Sequence, residues 1–533
     1  MNRRDFLRGS LTLAGLGLCG CPRTPSRPAL QGSRRDPSFE AGHRLRRPDF
    51  PDQPDSVERC DGVILGGGVA GLAAGWRWSR AGFEDYRLLE LEPEAGGNSR
   101  ALSYPPTSAP IGAHYLPIPN QEARAVRRLL REMGVLTERG LEERHLCHSR
   151  QERIFYQGSW HEGLVPEKVL PESALEQFQR FTTEIQNWAT RRDRRGRKVF
   201  ALPLQLSSTE PEFLELDRLS FGEYAARRGW NDPYLLWYLN YACRDDFGGS
   251  IHNCSAWAGL HYFASRDGGG LGSPDDILVW PEGNHRLVKF LAEQQQGSVL
   301  TEALILEVAN TEKGVRVDYL DLSRGRRKRL ECKVAIFCLP SFLRPYLTET
   351  SRSVKSFVYA PWVTANLWLE HPPRDREAPG HIAWDNVIHG SDSLGYVVAT
   401  HQSLATDPNR STVWTWYRPF PDEDPGEART RLQNSSWTHW AEQVLGELEL
   451  YHSDIRSLCK QLDVTVLGHG MIRPSVGFIW GSELATARQK EGRIFYGHGD
   501  LSGMSLFEES QYQGVVAAEA ALAELGLAYS SYL

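Results

Sequence analysis

The residues with the clearest chemical purpose are glycines. Gly66-Gly67-Gly68-Val69-Ala70-Gly71, with Gly75 four residues on, spells G-x-G-x-x-G-x-x-x-G. Gly66 permits a tight turn, Gly68 lets the main chain approach a pyrophosphate, and Gly71 and Gly75 let the next helix pack closely on a sheet. The helix that starts at Val69 and Ala70 turns free N–H groups and a partial positive charge toward the phosphates. Glu90 stands 24 residues past Gly66 and is followed by Leu91. An acid at that distance takes the hydroxyls of an adenosine ribose. No basic residue follows closely, so a 2′-phosphate is not favoured.

A second set of residues could act on a substrate. Polar-aromatic blocks occur at Tyr241–Asp246, Trp257–Tyr262, Trp384–Asn386, Thr400–Gln402 and His469–Pro474. They offer Arg244, Asp245, His261, Asp385, His401 and Arg473 as pocket residues. Each taken alone fits an interior hydrogen-bond network or a helix cap as well. As a set, at least two are expected to face the cofactor. Seven of the nine cysteines lie beyond the first 21 residues, with no C-x-x-C spacing and no Cys/His cluster, so no metal is expected.

These residues need elements to hold them. Gly62–Leu65 reads as a strand, the glycine run opens a helix through Trp78, and Tyr86–Leu89 is a second strand ending at Glu90. Residues 116–275 read as mostly helical. Residues 346–485 mix strand and loop signals, with Val413–Tyr417 alternating and Arg429–Leu448 of helical period. Leu304–Val308 and Val315–Tyr319 read as paired strands.

The chain has 533 residues, 24% charged and 41% hydrophobic, with a net charge of −6. This composition excludes disordered, collagen-like and polytopic membrane chains, and the mild acidity argues against a nucleic-acid partner. Residues 1–47 hold ten arginines against three acids. Asn2-Arg3-Arg4-Asp5-Phe6-Leu7, the uncharged run Gly9–Gly20 and the lipobox-like Leu18-Cys19-Gly20-Cys21 resemble a bacterial twin-arginine export signal on a lipoprotein. The run is too short to span a bilayer. The reading is a signal over 1–21, a Pro/Arg-rich tether over 22–57, delivery by the twin-arginine export machinery, and a periplasm-facing protein lipid-anchored to the membrane at Cys21.

Further along, Gly96-Gly97-Asn98-Ser99-Arg100 gives a second glycine pair and then a basic residue. Trp280–Leu287, Val334–Pro340, Arg493–Asp500 and Gln513–Ala518 follow. Together with the glycine fingerprint, these motifs resemble the flavin-containing amine oxidase superfamily, which includes phytoene desaturases and protoporphyrinogen oxidases. The resemblance implies an α/β fold: a Rossmann-like FAD-binding domain (58–115, 276–345 and 486–533) interrupted by an α+β substrate-binding domain (116–275 and 346–485). It implies FAD held by Gly66, Gly68, Val69, Ala70, Gly71, Glu90, Leu91, Gly96, Gly97, Asn98, Val308, Gly499, Asp500, Gly514 and Val515. A helix beginning at Gln513 would point its N-terminus at the flavin pyrimidine ring.

The chain departs from the family at three places. The strand position matched to the usual lysine is Asn366. The aromatic-cage position three before the last glycine is Gln511. No cysteine stands near Ser475–Gly477 to tether flavin, so FAD is expected to be non-covalent. The expected activity is hydride transfer from a small-molecule amine or related substrate to flavin N5. Two alternatives stay open: a membrane-proximal desaturase or isomerase with a quinone-like acceptor, and a non-catalytic assembly protein on a flavin fold.

Overall fold

The computed structural model describes residues 30–47, 49–147, 150–375, 382–402 and 409–533. The expected signal, Cys21 and the first part of the tether lie outside the described residues. From Gly32 onward the chain packs as one unit around two seven-stranded sheets. In chain order the elements used below are β1 (Ser56–Leu65), α1 (Val69–Ser79), β2 (Tyr86–Leu89), α2 (Arg124–Glu132), β3 (Glu152–Tyr156), β4 (Ser159–Glu162), α3 (Pro233–Phe247) and α4 (Ala256–Ala264). They continue with β5 (Val299–Leu300), β6 (Ala303–Asn310), β7 (Val315–Asp321), β8 (Arg326–Phe337), β9 (Tyr359–Leu369), β10 (Asp385–Ile388), β11 (Tyr396–Val398), β12 (Thr412–Pro419), β13 (Cys459–Ile472), β14 (Ile494–Tyr496) and α5 (Phe507–Glu524).

The first sheet runs β5-β2-β1-β8-β7-β6. β1 is parallel to both β2 and β8, and the last residues of β8 also pair in parallel with β14. Val63, Ile64 and Leu65 are fully buried, as expected of a parallel strand covered on both faces. α1 covers one face and is itself enclosed: Gly514 of α5 sits so close that a Cβ there would lie 2.1 Å from the Ala70 carbonyl oxygen. Burial on all sides extends to Arg77, which an ion pair to Glu519 at 2.8 Å satisfies.

The second sheet runs β13-β9-β12-β11-β10-β3-β4. β10 and β3 are parallel, which sets Asp385 opposite Glu152. Both inserted segments therefore contribute to one sheet. Helices from 172–264 cover it, and Phe178, Leu239 and Trp257 share a core with Val387 and Val397.

Several expected boundaries move. Residues 116–275 are not only helical, since they supply β3 and β4. The helical period over 429–448 divides into helices Pro425–Asn434 and Trp437–Glu449, because the Ser436 hydroxyl caps the second by accepting from His439 N–H. The last helix begins at Phe507, not Gln513, so Gly514 and Val515 are interior helix positions. The expected tether is also shorter. Arg35 N–H donates to Val464 O at 2.7 Å, Val464 N–H to Ser33 O at 3.0 Å, and Ser38 N–H to Glu92 at 2.7 Å. Residues 33–36 thus line β13, an edge strand that would otherwise present unpaired main chain.

Candidate active site

The glycine loops form one cradle. Glu90 accepts Gly67 N–H at 2.7 Å and Glu92 N–H at 2.8 Å, which locks its carboxylate under the first loop. Burial pushes its pKa up despite those two bonds. Gly96 N–H donates to Gly67 O at 2.8 Å, and a Cβ on Gly97 would lie 3.2 Å from the Gly68 Cα. Gly96 and Gly97 adopt φ of +141° and +56°, a region that glycine reaches without penalty. No side chain caps the first turn of α1, so the N–H groups near Val69, Ala70 and Gly71 stay available to an anion. Asn98 donates from Nδ2 to Gly470 O at 2.8 Å, tying the second loop to the other domain's β13. Arg100 turns away into an ion pair with Glu92 at 2.9 Å.

Asp500, beside Gly499, accepts Ser341 N–H at 2.8 Å and the Tyr359 hydroxyl. Burial opposes its ionisation, but His498, Tyr359 and Ser341 outweigh it and hold the pKa below the usual range. Among the described residues, the buried Ser341 Oγ and Gln513 Nε2 have no partner. A dinucleotide fits this arrangement: an acid shelf, two glycine loops in main-chain contact, an uncapped helix start and orphaned buried donors.

A second constellation lies in the inserted domain. Glu152 (β3), Asp385 (β10) and Asp245 and Asp246 at the end of α3 are enclosed; Glu152 and Asp246 raise the pKa of Asp245, and Asp245 and Glu152 raise that of Asp385. Burial, then mutual repulsion, raises Asp245 to about 8; burial, then Asp275, raises Glu152 to about 7. Asp246 stands at about 6, with Arg266 partly countering its burial. Asp385 is raised well above the carboxylate range. Asp245, Asp246 and Glu152 retain accessible surface although enclosed, and among the described residues no hydrogen bond reaches their carboxylates. That combination fits the lining of a ligand site rather than a packed core.

Aromatic rings complete the wall. Tyr115, Tyr241, Tyr262 and Tyr417 all feel Asp245. Tyr417 donates to Asp385 at 3.4 Å and lies 5.6 Å from His114 and 6.5 Å from Trp362, stacked on it. Tyr115 meets Trp384 edge-on at 5.6 Å. Arg266 is the cation nearest Asp246 and Tyr115, and it pairs with Glu508 on α5 at 2.9 Å. Contacts therefore run from this cluster through Glu508 to the start of α5, and from Trp362 by way of Gly470 to Asn98.

Of the residues singled out from the sequence, Asp245 and Asp385 come together here. Others do not. Arg244 binds the carbonyls of Ser391, Asp392 and Ser393 and clamps that turn. His261 bonds Ala201 O at 2.9 Å and stacks on Trp257; burial lowers it to about 4, so it is a neutral core residue. His401 holds Ile382 O at 2.7 Å. Arg473 binds Gly248 O at 3.0 Å. Asn366 directs its amide at Pro110 O (3.2 Å) and Ala109 O (3.4 Å), so it positions that segment instead of standing free for chemistry. Gln511 turns its Nε2 to Ala125 O of α2 at 3.4 Å, away from any cage.

Among cofactor residues, Val308 is buried in the hairpin opposite Val317. The part of β6 beside the cradle is its start, where Ala303 N–H donates to Glu90 O at 2.8 Å and Glu302 N–H to Glu92 O at 3.2 Å. Val308 is five residues on, about 16 Å along a strand. Val515 is core, and Gly514 serves contact between helices. Sequence reasoning missed Glu152, Asp246 and Trp362. Asp246 adjoins Asp245 at the end of an apolar helix, which is a readable signal. Glu152 has none, since only strand pairing brings it to Asp385.

A family model described as flavin containing amine oxidoreductase matches residues 69–455. Solved structures share the fold at low identity. A putrescine oxidase double mutant aligns with a TM-score of 0.64 and 16% identity over 88% of this chain and 100% of its own. Cyclohexylamine oxidase from Brevibacterium oxydans gives 0.63 and 12%, over 88% and 99%. A fatty acid isomerase from P. acnes, described as producing CLA, gives 0.62 and 16%, over 86% and 98%. Mitochondrial dimethylglycine dehydrogenase of Mus musculus is 30% identical over 91 residues, 17% of this chain and 9% of that protein's length.

Proposed function

The chain belongs to the flavin containing amine oxidoreductase family, and from that premise we propose that it oxidises a cationic amine whose charged end is bound by the Glu152–Asp245–Asp246–Asp385 cluster. The observation that carries this reading is an enclosed set of four carboxylates walled by tyrosines, whose facing cations are already engaged: Arg266 is paired with Glu508 and Arg244 is bound to the Ser391–Ser393 carbonyls. Carboxylates supply charge, and aromatic faces add cation–π attraction in a water-poor site.

Bound FAD would supply the two-electron, hydride-accepting chemistry, and the Glu90 shelf, the Gly66–Gly71 and Gly96–Asn98 loops and the Asp500 turn would hold it. It is held without a covalent bond. Cys338, next to the first loop, has its thiol pushed up by burial, away from the reactive thiolate. The chain's own residues do the rest. An ammonium must shed a proton before its nitrogen lone pair can assist oxidation. The Asp245 and Glu152 oxygens, with pKa about 8 and about 7, are matched to hold that proton near neutral pH. Tyr417 and Trp362 orient the substrate between the cluster and the cradle, and the enclosure excludes water.

Anaerobic incubation of purified holoprotein with a panel of mono-, di- and polyamines tests this: at least one should bleach the flavin, and bleaching by none would sink the amine reading. The family fold also carries a fatty acid isomerase. A lipid substrate, however, would meet four embedded acids here, so the amine reading is preferred. We also propose export by the twin-arginine route with lipidation at Cys21, placing the enzyme at the periplasmic membrane face. Mass spectrometry of the mature N-terminus checks this, and an unprocessed Met1 in the envelope fraction would refute it.

A further inference from the structure

α2 carries arginine at four of its nine positions: Arg124, Arg127, Arg128 and Arg131. Its apolar residues Ala125, Val126, Leu129 and Leu130 are buried, so the arginines occupy the opposite side. An arginine-rich face is ordinarily just solvated, but here it borders an open pocket of about 590 Å³ flanked on the other side by Ser531 and Tyr532. That volume falls in the range of small-molecule sites.

Among the described residues, the positive charges around this pocket outnumber their counter-ions. Its one acid, Glu132, already accepts from Trp76 Nε1 at 2.9 Å, Arg80 at 3.0 Å and Arg128 at 3.3 Å. Arg127 donates to the carbonyls of Pro119 and Gly269. The acids nearest it, Glu122 and Asp267, are both committed to Lys198. Burial and the neighbouring Arg131 lower its affinity for its proton, as expected where cations crowd without a counter-ion. Among the described residues Arg124 and Arg131 form no ion pair. Arg128 sits 3.8 Å above the Tyr532 ring, which fixes one guanidinium plane at the rim.

We propose that this cavity binds a phosphate-bearing anion. Guanidinium groups offer forked N–H donors that match phosphate oxygens two at a time, and several arginines around one void suit a group that presents three oxygens. The phosphate could belong to a soluble compound or to the headgroup of an anionic lipid. The site lies on the outer face of α2, while Gln511 of α5 contacts the main chain of the same helix at Ala125.

Binding of sodium pyrophosphate to full-length holoprotein is measured by calorimetry. Co-sedimentation with phosphatidylglycerol vesicles is compared with phosphatidylcholine vesicles at equal salt. Saturable pyrophosphate binding without vesicle preference assigns a soluble ligand. Preference for phosphatidylglycerol, displaced by pyrophosphate, assigns a headgroup. The double variant Arg124→Gln/Arg131→Gln, at exposed positions, should weaken either interaction at least tenfold and leave the flavin spectrum and thermal midpoint unchanged. Absence of both interactions, or equal binding by the double variant, overturns the proposal. Should that variant lose its fold, Arg131→Gln alone, with an expected loss of at least threefold, decides in its place.

Discussion

The raised carboxyls make ligand binding depend on pH with a definite sign. A quaternary ammonium such as tetramethylammonium does not titrate, so any pH dependence of its affinity belongs to the protein. Asp245 stands at about 8, and the charged groups facing it are Asp246, Glu152 and Arg244. At pH 6 it is about two units below its pKa. Ionising it to receive the cation then costs roughly 2.7 kcal/mol, from 1.36 kcal/mol per unit. Affinity should therefore rise about 50-fold between pH 6 and pH 8, and about 100-fold in all by the plateau above about pH 9. Glu152 at about 7 steepens the lower part, and the interacting acids titrate as a set with shared midpoints. Titration calorimetry of the holoprotein across this range gives the curve. In Asp245→Asn the rise should shrink and move to lower pH, because the titration of Glu152 at about 7 then sets it. A dissociation constant that is flat or weakens from pH 6 to pH 8, or one unaffected by Asp245→Asn, would refute the assignment of these carboxylates as the cation site.

Other outcomes follow from the same geometry. Gly514→Ala places a Cβ 2.1 Å from the Ala70 carbonyl, pushes α5 off α1 and should lower stability by about 1–3 kcal/mol; urea denaturation with parallel flavin release measures it, and a silent variant would show that the helices can separate freely. Asp245→Asn should raise the melting midpoint more at pH 9 than at pH 5. A raised folded-state pKa means that the native state binds more protons than the unfolded chain between about pH 4 and 8, so this group's contribution to stability falls as pH rises. An equal gain at both pH values would contradict that sign. Cys60 and Cys332 face each other across β1 and β8 with sulfurs 3.1 Å apart. Mild oxidation with diamide should remove two electrons and two protons and join them, a loss of about 2 Da detectable by mass spectrometry, whereas two persistently free thiols would mean that the strands cannot close the last ångström to the S–S bond length.

The cofactor cradle was legible because its requirements are local. A glycine is needed wherever two main chains touch, and Gly66, Gly68, Gly71, Gly96 and Gly97 sit at such places in sequence order. Glu90 follows from strand length alone. Val308 failed because the strand was read correctly but the wrong end of it was assigned to the site; only the Glu90–Ala303 bond shows which end lies near. The substrate side is built from non-local pairings. Glu152 and Asp385 are 233 positions apart and meet only as partners in parallel strands. Arg244, His261, His401 and Arg473 are polar residues that a large, aromatic-rich interior uses to satisfy carbonyls at turns and segment ends, a use that single-residue chemistry cannot distinguish from catalysis. The displacement of Asn366 from a reactive role has the same origin: its amide is consumed by the carbonyls of 109–110.

Two buried acids in this chain show why the cluster is read as a binding site and not as internal structure. Asp500 is fully enclosed, yet His498, the Tyr359 hydroxyl and the Ser341 N–H surround it, and its pKa falls below the usual range. Asp245 keeps some accessible surface, yet among the described residues no donor reaches its carboxylate and its pKa rises to about 8. Burial opposes the ionisation of both carboxylates; what differs is whether the fold supplies partners. A structural acid left without partners is strongly destabilising. Replacing all four cluster acids by apolar residues would remove that penalty, so the native fold tolerates it for a group that arrives from outside. The complement of carboxylates that the fold leaves short of partners is a ligand with positive charge and N–H donors. The cluster's link through Arg266 and Glu508 to the start of α5 sets that ligand's charged end beside the domain that carries the cradle.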